Sequence, residues 1–178
     1  FIGRFDRVKN IHNLLKSFSA QKLYNDFIII ILGYPLNYDL VYFNFLKEFV
    51  KDKKGVYLVN IDELANSYND KRYITLKMLE LSDIVILPSF EETFSLVALE
   101  ALYFNKKLII TKNSPYQELY QDWINYFVFP LDPFKINLKE ILSKINFGIS
   151  QDTKNKILDK FDCKIISKKY LEIFRKFL

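Results

Sequence analysis

Leu87-Pro88-Ser89-Phe90-Glu91-Glu92-Thr93-Phe94-Ser95-Leu96-Val97-Ala98-Leu99-Glu100-Ala101-Leu102 is the stretch on which the reading of this chain turns. Ile84-Val85-Ile86-Leu87 is an unbroken run of β-formers, the pattern of a strand buried on both faces. Pro88-Ser89 breaks the strand, and the apolar spacing predicts a helix from about Phe94. Glu91 and Glu92 fall in the loop, and Glu100 lies about two turns into the helix. Between them sit the unpaired amides of the helix start. Those amides and the helix dipole suit an anion such as phosphate, and the carboxylates suit hydroxyl donors such as those of a sugar. A solvated acidic loop ahead of a core helix fits the same residues, and the stretch alone does not choose.

Outward from it the same alternation continues. Residues 27–32, 56–59, 108–111 and 127–129 are predicted strands, and Phe1-Ile2 is the tail of another. Helical spacing runs through Ile11, Leu14, Leu15 and Phe18, with Asn10 as the cap. It recurs over 39–51 through Leu40, Phe43, Leu46 and Val50, and over 73–81 with Ile74, Met78 and Leu81 inward. A short helix is expected at 115–121, and a helical pattern from 135 to the end with breaks near Gly148 and Asp162. Residues 60–72 read as polar and irregular. The expectation is an α/β fold, a Rossmann-like parallel sheet of about five to six strands with helices on both faces. Ligands of such sheets bind beyond the carboxyl ends of the strands. Gly3, Arg4, Lys9, Gly33, Tyr34, Asn60 to Asp62, Ser89 to Phe94 and Thr111 to Glu118 all follow strands, so they should meet at one edge.

The chain has 178 residues, half of them hydrophobic, which is enough for one full core and excludes disorder. Net charge is +5, a mild excess that favours anionic partners without selecting one. The basic residues form no stripe and the aromatic residues sit at core spacing, so nucleic acid is not an expected partner. A single cysteine, Cys163, fits a reducing compartment and is read as a small buried residue. With one histidine, His12, read as a surface residue, no His–His or Cys–His metal pattern exists. No metal is expected. No apolar run reaches the roughly 18 residues of a membrane span. Phe1 opens on a strand-like stretch without an initiator Met, so a piece of a longer protein with no signal peptide is expected.

The order Gly3-Arg4, Lys9, Pro88-Ser89, Glu92-x7-Glu100-Ala101, Glu118, Asn125 and Pro130-x-Asp132 resembles retaining glycosyltransferases of the two-Rossmann-domain (GT-B) architecture. It is most similar to family 4, the glycosyl transferases group 1. The resemblance spans nearly the whole chain, and it implies the C-terminal, donor-binding half of such an enzyme. Residues 1–160 would then be the core and 161–178 a terminal basic amphipathic helix, with an N-terminal acceptor domain absent. By the resemblance, Arg4 and Lys9 neutralise the donor's diphosphate, Glu92 faces the transferred sugar, and Glu100 accepts from the ribose hydroxyls. Gly3, Gly33 and Asn60 would lie against the nucleotide, contacted by backbone near the base. Thr93, Phe94, Ser95 and Leu96 stand where the family often has Gly-Phe-Gly; Thr93 and Ser95 can cap the helix, and amides of Phe94, Ser95 and Leu96 remain available. Asn10 replaces a frequent glycine, Asn113-Ser114-Pro115 a frequent Gly-Gly, and Tyr126 a usual glycine. Arg72 is read mainly as a solvated charge at a helix start, with contact to the donor as the other reading.

The implied activity is metal-independent, cofactor-free transfer of a sugar, a hexose by expectation, from a nucleotide-diphosphate sugar to an acceptor hydroxyl with retention. Cell-surface polysaccharide, lipopolysaccharide or glycolipid synthesis would be its setting, and the acceptor glycan or glycolipid would bind the absent domain. The location expected is cytoplasmic, with peripheral contact at the inner membrane face through the terminal helix as one reading and packing across domains as the other. Two rival classes stay open. A nucleotide-sugar epimerase or a phosphorylase of the same architecture would share the phosphate site without requiring Glu92-x7-Glu100, and a non-catalytic binding module would bind donor without transfer.

Overall fold

The computed structural model describes residues 1–111, 137–144 and 151–175. The strand expected over 127–129, the helix over 115–121, the break near Gly148, and Glu118, Asn125, Pro130 and Asp132 lie outside the described residues.

Continuous apolar runs become parallel strands, as burial on both faces requires. β1 (Ile29–Gly33) pairs with β2 (Val56–Asn60), Ile29 opposite Val56 and Gly33 opposite Asn60. β3 (Ile84–Leu87) pairs with β4 (Lys107–Ile110) in the same parallel sense. Ile2 bridges Leu32 on the edge of β1 that β2 leaves open, where Leu32 N donates to Phe1 O at 2.9 Å and Gly3 N to Leu32 O at 3.0 Å. Among the described residues the strands therefore form two parallel pairs and this short bridge, where the sequence suggested five to six strands; the α/β class is as expected.

Helices cover both faces. α1 (Ile11–Ala20) and α2 (Leu40–Val50) flank β1, α3 (Tyr68–Leu81) precedes β3, and α4 (Leu96–Tyr103) joins β3 to β4. Further on lie α5 (Leu138–Lys144), α6 (Gln151–Phe161) and α7 (Cys163–Arg175). One core gathers Ile11, Leu14, Leu15 and Phe18 of α1 with Phe43 and Leu46 of α2, Leu138 and Leu142 of α5, and the strand residues Ile29, Ile31, Ile86 and Ile109. The other joins Ala98, Ala101 and Leu102 of α4 to Leu79, Ile157, Val85, Leu87, Leu108 and Ile110. Alternate residues of β3 and β4 thus enter different cores. That is the period-two signature of strands sandwiched between helix layers.

The structure corrects several boundaries and faces. α4 starts at Leu96, after Ser95 accepts from Ala98 N at 3.2 Å, so Phe94 is still loop. α3 starts at Tyr68, capped by Ser67, which accepts from Asp70 N at 3.1 Å; residues 68–72 are helical where an irregular segment was expected. Leu79 is its buried anchor, and Leu81 is exposed. Leu40 is exposed too, since it opens α2 before the helix reaches the core. Cys163 is exposed at the start of α7, because α7 packs along α6 and buries none of its own residues. His12 is half-buried, with Nδ1 2.9 Å from the Tyr42 hydroxyl. Burial first, then Lys16 and Arg7, lowers the His12 pKa, and burial pushes Tyr42 up to about 12. Among the described residues no helix is long and apolar enough to cross a membrane.

Candidate functional site

The carboxyl ends of Phe1–Gly3, β1 and β3 open into one cleft of about 610 Å³. Gly3, Arg4, Lys9, Gly33, Tyr34, Ser89, Glu92, Phe94, Ser95 and Leu96 line it, so groups scattered over the first half of the chain share one wall.

Each is held by backbone chemistry. Asp6 caps the short 3-10 turn Arg7–Lys9 by accepting from Lys9 N at 3.0 Å, and it sits 3.4 Å from the Arg4 guanidinium. Asn10 follows with φ of 55°, the left-handed region that glycine and asparagine tolerate best. That geometry accounts for an asparagine at a glycine-like position. The expected side-chain cap is absent: Asn10 instead donates Nδ2 to Pro88 O at 3.1 Å and accepts at Oδ1 from Asn13 Nδ2 at 2.7 Å. Phe90 N donates to Val8 O at 2.8 Å beside it. The loop of Lys9 and the loop of Glu92 are thereby fastened together.

Asn10→Ala should therefore lose about 2–3 kcal/mol of stability, from a strained left-handed backbone and orphaned buried amides. Asn10→Gly keeps the backbone and loses only the bonds, so it should cost less. Urea unfolding of both variants checks this, and equal losses would remove the conformational part of the argument.

Lys9 Nζ meets Glu92 Oε2 at 2.5 Å, both side chains about seven-eighths buried at 14% and 15% exposure. Glu91 is exposed. Ser89 is buried, its carbonyl accepting from Thr111 Oγ1 at 2.7 Å, and Phe94 packs on Phe161 of α6 with ring centroids 5.7 Å apart. These contacts hold the turn 88–94 on both sides. Ser95 spends its hydroxyl on Ala98 N, which leaves the first amides of α4 facing its N-terminal end.

Other expected residues lie differently. Glu100 is set back on α4, and its Oε1 accepts from Arg72 Nη1 at 2.5 Å. Arg72 is exposed at the start of α3, as expected of a charge there, and is in addition tied to a candidate carboxylate. Asn60 turns inward on its own chain: it accepts from Asp62 N and donates to Glu63, while its neighbour Ile61 lines the cleft. Thr93 is exposed and does not line it.

Of the opposite wall, only Arg72 was a candidate from sequence for donor contact. Tyr68, Lys71, Arg72 and Thr75, on one face of α3, complete the cleft, with Lys71 Nζ 2.5 Å from Asp62 Oδ1. The Ser67-x-x-Asp70 spacing was the available signal for a helix start there. Among the described residues no group of three or more His, Cys, Asp or Glu side chains could hold a metal ion.

The arrangement can do a defined chemistry. Two cations and a helix N-terminus can meet a diphosphate, and the partly buried carboxylate of Glu92 can accept from hydroxyls of the same ligand; Glu100 is not among the residues that line the cleft and meets it through Arg72, which does.

The profile of the family described as glycosyl transferases group 1 matches residues 1–145. No match is found among curated protein sequences. Among solved structures, the C-terminal domain of the glycosyl transferase group 1 family protein LpcC from Francisella tularensis is similar at TM-score 0.66 and 22% identity, over 89% of this chain and 83% of that one. HepE of Anabaena, solved in complex with UDP, is similar at 0.71 and 17%, over 98% of this chain and 48% of its own. Sucrose-phosphate synthase of Thermosynechococcus elongatus is similar at 0.71 and 14%, over 99% and 45%. The chain thus spans most of the isolated domain but less than half of the two longer proteins.

Proposed function

The chain belongs to the glycosyl transferases group 1 family, and from that premise we propose that it is the nucleotide-sugar-binding domain of a retaining, metal-independent glycosyltransferase. The observation that carries the proposal is the meeting of Lys9 and Glu92 at 2.5 Å, across 83 residues of sequence, in the cleft that Arg4, Gly33 and the start of α4 also line.

In this reading Lys9, Arg4 and the first amides of α4 take the donor's diphosphate and stabilise it as leaving group. Glu92, released from Lys9 by the phosphate, accepts from hydroxyls of the transferred sugar. Glu100 accepts from the ribose. The transition state is oxocarbenium-like, and a diphosphate oxygen takes the proton of the incoming acceptor hydroxyl on the same face. Glu92 positions the sugar and is not assigned a covalent role. The bound UDP of HepE supports a nucleotide in this cleft.

A hexose is the proposed transferred group, and a cell-surface polysaccharide, lipopolysaccharide or glycolipid the proposed product. The acceptor is assigned to a preceding domain of the same architecture, and the reaction to the cytoplasmic side. The exposed Tyr170, Leu171, Ile173 and Phe174 of α7, beside Lys164, Lys168, Lys169 and Arg175, support peripheral contact with an anionic membrane surface.

A thermal-shift panel of UDP, GDP and ADP with their glucose conjugates tests the donor reading. One base is expected to raise the unfolding midpoint in a concentration-dependent way, and the 178-residue chain is expected to transfer nothing. No shift with any of them would refute the donor site, and measurable transfer by this chain would refute the separate acceptor domain.

A further inference from the structure

We propose that Arg72 is a positioning residue for Glu100, holding that carboxylate so that its remaining lone pairs receive the ribose hydroxyls. The inference rests on the donor reading above and adds a residue that the sequence motif does not contain.

The geometry runs from α3 to α4. The Ser67 cap starts α3 early enough to carry Arg72 over the cleft. Lys71 pairs with Asp62 in the turn after β2, which ties the first turn of α3 to that turn, and within the helix Thr75 Oγ1 donates to Lys71 O at 2.9 Å. Arg72 Nη1 then reaches Glu100 Oε1 at 2.5 Å. The Glu100 side chain is only 15% exposed, whereas that of Arg72 is 44% exposed. A carboxylate offers about four lone-pair sites and one guanidinium N–H takes one of them, so Oε2 remains an acceptor. A carboxylate without that partner would be free to rotate about its own side-chain bonds, and its two oxygens would not present a fixed edge to a pair of vicinal hydroxyls. A planar guanidinium fixes such an edge better than an ammonium does.

Calorimetry on the 178-residue chain tests the assignment. UDP, GDP, ADP and their 2′-deoxy forms are titrated into wild type, Arg72→Ala, Arg72→Lys, Glu100→Gln and the Arg72→Ala/Glu100→Gln double variant. For the diphosphate that wild type binds most tightly, Arg72→Ala should weaken binding roughly five- to tenfold, the loss expected when one charge-assisted contact ceases to orient its partner. Arg72→Lys should recover part of it. Loss of the 2′-hydroxyl should cost wild type several-fold, roughly the worth of one hydrogen bond, and should cost Arg72→Ala little. In the Glu100→Gln background the Arg72 change should have no further effect. Unfolding midpoints of the Arg72 variants should stay close to wild type, since an ion pair whose arginine is 44% exposed contributes little to stability.

Unchanged or tighter binding by Arg72→Ala overturns the proposal, tighter binding marking Arg72 as a competitor for Glu100. An equal 2′-deoxy penalty in wild type and Arg72→Ala also overturns it. Failure of wild type to bind any of the probes overturns the donor site and this inference with it, whereas selective failure of the Arg72 effects leaves the donor site standing.

Discussion

Lys9→Ala should remove most of the affinity of this chain for nucleoside diphosphates, on the order of 2–4 kcal/mol, or roughly 30- to 1,000-fold in Kd. Two effects add. The ammonium that meets the phosphate is gone, and Glu92 is left without its counter-ion in a setting only 15% exposed. A diphosphate arriving there then faces a like charge instead of a cation. The Lys9→Ala/Glu92→Gln double variant isolates the second effect: it should recover part of the loss, because the unpaired carboxylate is gone while the phosphate contact stays missing. Arg4→Ala should cost less, about 1–2 kcal/mol, because Arg4 is half-exposed and already shares its charge with Asp6 at 3.4 Å. Calorimetric titration of the four proteins measures the differences. Equal affinities in wild type and Lys9→Ala would sink the phosphate assignment.

Gly33→Ala should destabilise the fold by about 3 kcal/mol or more, which for a chain of this size lowers the unfolding midpoint by roughly 6–12 °C. A Cβ at Gly33 would stand 1.7 Å from Gly3 O and 2.9 Å from the Phe5 ring, so the demand is for space and not for an unusual backbone angle. Neither neighbour can give way cheaply. Gly3 N is bonded to Leu32 O at 3.0 Å and Phe5 N to Tyr34 O at 2.9 Å, and Phe5 is fully buried and stacked on Phe43 with centroids 5.2 Å apart. Any relief moves the segment that carries Arg4, so diphosphate affinity should fall together with stability. Urea unfolding decides it: a loss under about 1 kcal/mol, the range of ordinary surface changes, would show that the crossing of Gly3 over β1 is softer than its contacts imply.

The two variants mark different kinds of legibility. Lys9 and Glu92 could be singled out from their spacing and resemblance, and Gly33 from its place after an apolar run. What each one touches could not. Gly33 was expected to lie near the base of a nucleotide, contacted by backbone; the structure adds that it makes room for the carbonyl of Gly3.

The start of α3 shows where periodicity is silent. Tyr68, Asn69, Asp70, Lys71 and Arg72 carry almost no apolar pattern, because that turn stands over the cleft and not over a core. Hydrophobic spacing reports burial, so a helical turn that buries nothing leaves no trace in it. The Ser67 cap was the remaining local signal. Likewise Leu79 and Leu81 are chemically identical, and only the packing of α3 against α4 puts the first inside and the second in solvent.

By itself the sequence determined the α/β class, the strands that run through two cores, the helix starting after Glu92, and the order of Arg4, Lys9, Glu92 and Glu100. These follow from local backbone preference and from alternation between apolar and polar residues, which neighbouring positions decide among themselves. Only the tertiary structure decided the pairs Lys9–Glu92, Arg72–Glu100 and Asn10–Pro88, and the crowding of Gly3 on Gly33. Those contacts join residues between 28 and 83 positions apart. Their distances are set by how helices seat on strands, a balance of packing over the whole core that no single stretch of chain encodes.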